Sequence, residues 1–217
     1  MTLAVARELT PVPQSLLLDA DWSMYSGLLR IFAEYPAVRL TYDRGRLEIV
    51  SPILKHDNVS RFLVLLIGAL TDELDLPLVA GGGTTLRRRL RQKGAEPDEC
   101  FWIANASRME GRQRLDLGRD PPPDLAIEID VTSSSLPRMP IFGALGVPEV
   151  WRWSKGKLSF HVRDSRGIYR TAARSRTFPL ISPLDLLPFV QEAERSLNQT
   201  PLLRRFRKWV RQRSSDS

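Results

Sequence analysis

The chain holds one cysteine, Cys100, and two histidines, His56 and His161. A single thiol forms no intramolecular disulfide, and these counts support neither a cysteine-rich nor a multi-histidine zinc site. A reducing, cytoplasmic setting is the expectation. No apolar run approaches the roughly 18 residues that a membrane span needs, so no membrane association is expected. The first residues lack a basic-then-apolar secretory pattern. No helix-turn-helix or zinc finger is visible that would read bases. The tract Gly81-Gly82-Gly83 is not part of a G-x-x-x-x-G-K-[S/T] signature, and no helix opens after it. It is read as close backbone packing or a bulge, not as a phosphate cradle.

What is present is an ordinary globular composition with an uneven charge. The 217 residues are 42% hydrophobic and 26% charged, with a net charge of +7. That length suits one domain of ample size with a C-terminal appendage. The positive excess sits in the last third of the chain, and the rest is slightly acidic. An acidic centre beside a basic surface fits a metal site flanked by a face for a polyanion. Much of the basic charge falls on Pro201 to Arg213, where Leu202, Phe206, Trp209 and Val210 recur at helical spacing. Such a basic amphipathic helix rests on the body with its arginines outward, or lies against nucleic-acid phosphate, a membrane or a partner. Arg204, Arg205, Arg207, Lys208 and Arg211 are its candidate nucleic-acid contacts.

The remaining pattern is mixed. Asp21 caps a helix with apolar residues at 25, 28, 29 and 32. Val38 to Tyr42 and Leu47 to Val50 alternate around Asp43-Arg44-Gly45-Arg46, a hairpin with Gly45 in the left-handed position. His56 to Leu74 carries Val59, Phe62, Leu63, Leu66, Ile67 and Leu70 along one face and is the central helix. Short strands follow at 76–80, 85–90 and 100–103. Leu125 to Val131 reads as a largely buried strand, then a helix or turn ends at Gly146. A meander of strands begins near Gly146, and Ser182-Pro183 opens a further helix.

The Leu125–Val131 strand carries the chemistry. A carboxylate within it is expensive to desolvate unless something positive sits against it. Glu128 is that carboxylate, and Asp130, two residues on, shares its face. Oxygen ligands of this kind suit Mg²⁺; a structural ion pair is the alternative. Asp98, in Glu96-Pro97-Asp98, precedes the neighbouring strand. Two carboxylates presented to one divalent ion describe metal-dependent phosphodiester hydrolysis.

Four segments in order carry a resemblance. They are Leu40 to Pro52 with His56, Glu96 to Phe101, Pro123 to Glu128, and Gly146 to Trp151. Over about residues 20 to 190 the chain resembles the Uma-type restriction endonuclease family of the PD-(D/E)XK nuclease superfamily. The resemblance implies an α/β (mixed α+β) fold: a restriction-endonuclease-like central mixed sheet flanked by helices, with an N-terminal hairpin and C-terminal helices. It implies a domain over 15–190 and a basic helical extension over 191–217. It implies a Mg²⁺- (or Mn²⁺-) dependent endonuclease acting on DNA as a homodimer. Asp98 and Glu128 match the metal-binding acids, and Glu48 is a candidate for an additional acid. His56, Asp124 and Asp130 are candidate supporting groups. The superfamily's lysine has no counterpart at Asp130; the position where relatives carry it later is Arg138. Arginine clamps phosphate but cannot act as a base, so a catalytically silent nucleic-acid- or partner-binding protein on the same fold is the alternative.

Overall fold

The computed structural model describes residues 14–35, 38–51, 55–130, 136–196 and 198–215. Its strands form two sheets. The expected hairpin is β2 (Arg39–Asp43) and β3 (Arg46–Ser51). Arg44 and Gly45 turn it with φ of 45° and 91°, the paired positive values that match the twist of a hairpin. The hairpin is no appendage. It is the middle of a five-stranded sheet, in the order β1-β3-β2-β6-β5. Its further strands are β1 (Gln14–Asp19), β5 (Leu86–Arg88) and β6 (Lys93–Ala95). The sequence reading passed over β1, because Leu16-Leu17-Leu18 shows no alternation and an edge strand buries little. Helix α1 (Trp22–Ile31) starts where Met24 N donates to Asp21 Oδ1 at 2.7 Å. It lays Tyr25 on Tyr42, ring centroids 4.9 Å apart.

The second sheet has six strands: β4 (Val79–Ala80), β7 (Glu99–Trp102), β8 (Leu125–Asp130), β9 (Glu149–Ser154), β10 (Lys157–Arg163) and β11 (Tyr169–Ala172). Every neighbouring pair is antiparallel except β8 and β9, which are parallel. A parallel neighbour requires a crossover, and helix α4 (Arg138–Leu145) lies on it. A short helix, α3 (Ala106–Met109), follows β7.

Strand periodicity sorts β8 between two cores. Leu125, Ile127 and Ile129 pack with Phe62, Leu63 and Leu66 of helix α2 (Lys55–Glu73) and with helices α5 (Pro183–Arg195) and α6 (Thr200–Ser215). Ala126 joins Trp102, Ile141 and Phe142, together with Leu86 and Ala95 of the first sheet. Glu128 shares the face of Ala126. It therefore looks into the seam between the two sheets, away from α2, α5 and α6.

Helix α6 buries Leu202, Phe206 and Val210 in the same core as α2. Arg207 pairs with Asp72 and Glu73, Arg211 grips Glu73 through two nitrogens, and Arg205 pairs with Glu192. These guanidinium contacts hold the Glu73 carboxyl low, at about 2. A depressed folded-state value gives stability that is present above the unfolded value of 4.5 and lost as pH falls through 2. Wild type should therefore out-melt Glu73→Gln at neutral pH, and the gap should close on acidification through that window. Thermal melts at stepped pH, read on tryptophan emission, check this; a gap that is constant with pH refutes it.

Candidate active site

The seam gathers charges from both sheets around one guanidinium. Arg138 opens α4. Its Nη2 donates to Glu128 Oε1 at 3.0 Å, and its Nε lies 2.7 Å from Glu128 Oε2. That Nε approach is off the N–H axis, and the nitrogen has no hydrogen bond of its own. Nη2 also donates to the Glu96 carbonyl, and Nη1 donates to Thr41 Oγ1 at 3.2 Å. Glu48 stands opposite Thr41 in the β2–β3 register and is fully buried. The charges of Glu128, Asp98 and Glu48 all favour the guanidinium form of Arg138.

Asp98 sits just before β7, not within it. Its N–H donates to the Ile127 carbonyl, and its Oδ2 accepts from Ile129 N at 2.7 Å. Both bonds fix its carboxylate against β8 beside Glu128. Burial pushes the Glu128 carboxyl up, to about 8; Arg138 pulls it down, and Asp98 and Asp130 push it up. Displaced titrations of this kind occur at functional sites and in structural ion-pair networks alike.

The other sequence candidates take different places. Asp130 pairs with Arg152 of β9. Asp124 accepts from Ile103 N at 2.8 Å, Asn105 N at 3.0 Å and Asn105 Nδ2 at 2.7 Å. It ties the chain after β7 to the entry of β8. His56 falls in the first turn of α2, and its side chain lies outside the described residues. The α6 residues Arg204 and Lys208 are exposed. With Arg205, Arg207 and Arg211 they lie across the sheet from Glu128.

No group of three or more His, Cys, Asp or Glu poised for a metal occurs among the described residues. Mg²⁺ commonly takes only one or two carboxylates and keeps its waters, so Asp98 and Glu128 suffice. Both Glu128 oxygens face Arg138, so an ion there would compete with the guanidinium.

The profile of the Uma2 family, described as "Putative restriction endonuclease", matches residues 23–198. The chain belongs to the Uma2 family. Among solved structures, the Uma2 chain is similar to a "putative nuclease belonging to DUF820" from Anabaena variabilis. The likeness has a TM-score of 0.50 at 17% identity, covering 75% of this chain and 98% of that one. At that identity it shows a common fold. No curated protein matches this Uma2 chain. Among the described residues no helix is long and apolar enough to cross a membrane.

Sequence reading missed Thr41, the Glu96 carbonyl and Arg152. Thr41 gave no signal, since a threonine in an alternating strand is ordinary. Glu96 was passed over for the neighbouring Asp98, although a carboxylate directly before Pro-Asp could have been found.

Proposed function

We propose that the protein is a metal-dependent nuclease that hydrolyses DNA phosphodiester bonds at the Asp98–Glu128 cluster. The observation that carries this reading is the convergence of Asp98, Glu128 and Arg138 in one buried seam. Asp98 and Glu128 would hold Mg²⁺ or Mn²⁺, which polarises a phosphate and lowers the pKa of a bound water. In the reaction a water oxygen bonds to phosphorus, one P–O ester bond breaks, and the leaving oxygen takes a proton. Arg138 is the phosphate clamp. Nη1 has one contact to Thr41 and a second N–H to offer a phosphate oxygen, where charge builds in the transition state. Thr41 and the Glu96 carbonyl hold the fork in place. Two copies related by a two-fold would serve cleavage of both strands of a duplex.

The grip of Arg138 on both Glu128 oxygens favours a second reading, a silent DNA-binding protein on the nuclease fold. Plasmid incubation with Mg²⁺, Mn²⁺ or EDTA separates the two. Nicking that needs the metal is the expected result. Salt-sensitive DNA binding without nicking in any metal would replace the first reading with the second.

A further inference from the structure

Outside the cluster lies a cleft of 980 Å³ between the end of α1, the start of β2, the glycine tract after β4 and the loop after α3. Five arginines line it: Arg30, Arg39, Arg87, Arg112 and Arg114. Its lining carboxylate, Glu96, is buried and already used, accepting from Thr85 Oγ1 at 2.6 Å and Leu40 N at 3.1 Å. Arg112 is partly neutralised by Asp120 at 3.4 Å. Arg30, Arg87 and Arg114 are exposed and form no ion pair among the described residues. On α6 three of the basic residues, Arg205, Arg207 and Arg211, are paired with Glu192, Asp72 and Glu73, and Arg204 and Lys208 stay exposed.

Two details make the cleft a built site. Arg39 Nε is buried without an acceptor among the described residues, so the cleft carries an orphaned donor. A Cβ on Gly83 would stand 1.9 Å from Arg39 Nη1, so the glycine backbone closes directly on that guanidinium. The cleft adjoins the candidate active site through β2 and Glu96. Arg39 and Thr41 point to one side of β2, about 6.6 Å apart at strand spacing, and Thr41 holds Arg138. Glu96 contributes its side chain to the cleft and its carbonyl to Arg138.

We propose that this arginine cleft binds the phosphodiester backbone of a polynucleotide and leads it to Arg138. The proposal rests on the nuclease reading for its purpose, and on the cleft alone for its chemistry. Arginine forks suit phosphate because they offer two parallel N–H donors to two oxygens. Tyr35, at the rim and 60% exposed, offers a face to a base.

The test measures binding of labelled single-stranded and duplex DNA oligonucleotides by anisotropy in EDTA, where no cleavage occurs. Arg30→Glu/Arg87→Glu/Arg114→Glu changes three exposed side chains, and Arg204→Glu/Lys208→Glu is the control on α6. The triple variant should lose at least about tenfold in affinity and lower the log–log salt slope by about two on single strands and about 2.7 on duplex, as expected for three lost phosphate contacts. The α6 variant should bind as wild type does. Equal binding by the triple variant, a loss caused by the α6 pair, or equal competition by polyglutamate overturns the cleft. Unaltered melting curves guard against misfolding, and Arg39→Gln, a single change inside the cleft, should weaken binding independently. Because metal is absent, failure here leaves the nuclease reading standing, and binding without later cleavage does the reverse.

Discussion

Glu128→Gln should lose metal-dependent cleavage by on the order of 10³-fold, the scale of removing a principal electrostatic group from a site, and should melt below wild type but above Glu128→Ala. Glutamine keeps the volume of the side chain and still offers one oxygen to Arg138. It removes the charge that would hold a divalent ion. The amide fills the seam, while the Arg138 guanidinium keeps only the charges of Asp98 and Glu48 nearby, so part of the stability of the pair is lost. Alanine is the poorer probe. It would strip Arg138 of its main partner in a position where the guanidinium is largely enclosed, and unpaired buried charge costs about 3–5 kcal/mol. Lost activity in that variant would confuse catalysis with folding. Plasmid nicking and a thermal melt on one Glu128→Gln preparation check the expectation. Cleavage at the wild-type rate would remove Glu128 from the chemistry.

Arg138→Ala should cost about 3 kcal/mol of stability without metal, because Glu128, Thr41 Oγ1 and the Glu96 carbonyl all lose their donor. The same change should raise affinity for Mn²⁺, since the guanidinium no longer faces both Glu128 oxygens. At an ion concentration 100 times the dissociation constant, binding returns about 2.7 kcal/mol. Melts of wild type and variant across a Mn²⁺ titration read both effects. The variant should start lower and climb further. Equal Mn²⁺ shifts in the two proteins would show that Arg138 does not compete for the ion.

Much of this fold was legible because its elements repeat simple periods. The 3.6-residue recurrence from Val59 to Leu70 marked α2, and Gly45 and Gly146 marked a turn and a helix end. The Ser182-Pro183 step marked α5, and the structure adds a capping box between Ser182 and Asp185. The two-sheet arrangement was not legible. Lys93–Ala95 is too short to show alternation, and β1 is an edge strand whose Leu16 is exposed. For the site, the carboxylates announced themselves by their apolar surroundings. Thr41 did not, because its role comes from a contact 97 residues away in sequence. The basic stretch of α6 looked like a polyanion surface, yet Asp72 and Glu73, which absorb much of its charge, lie on a helix that local pattern could not bring near.

The same seam sets when a site can exist during folding. Arg138 meets Thr41 across 97 residues, Leu40 meets Glu96 across 56, and Asp98 meets Ile129 across 31. Contacts of such long range form late, after loop-closure entropy has been overcome. The second sheet and its crossover carry Asp98, Glu128 and Arg138 by themselves, and docking of the first sheet adds Thr41 and Glu48. A half-folded chain with only the second sheet in place holds the charged cluster without the threonine that steadies its guanidinium.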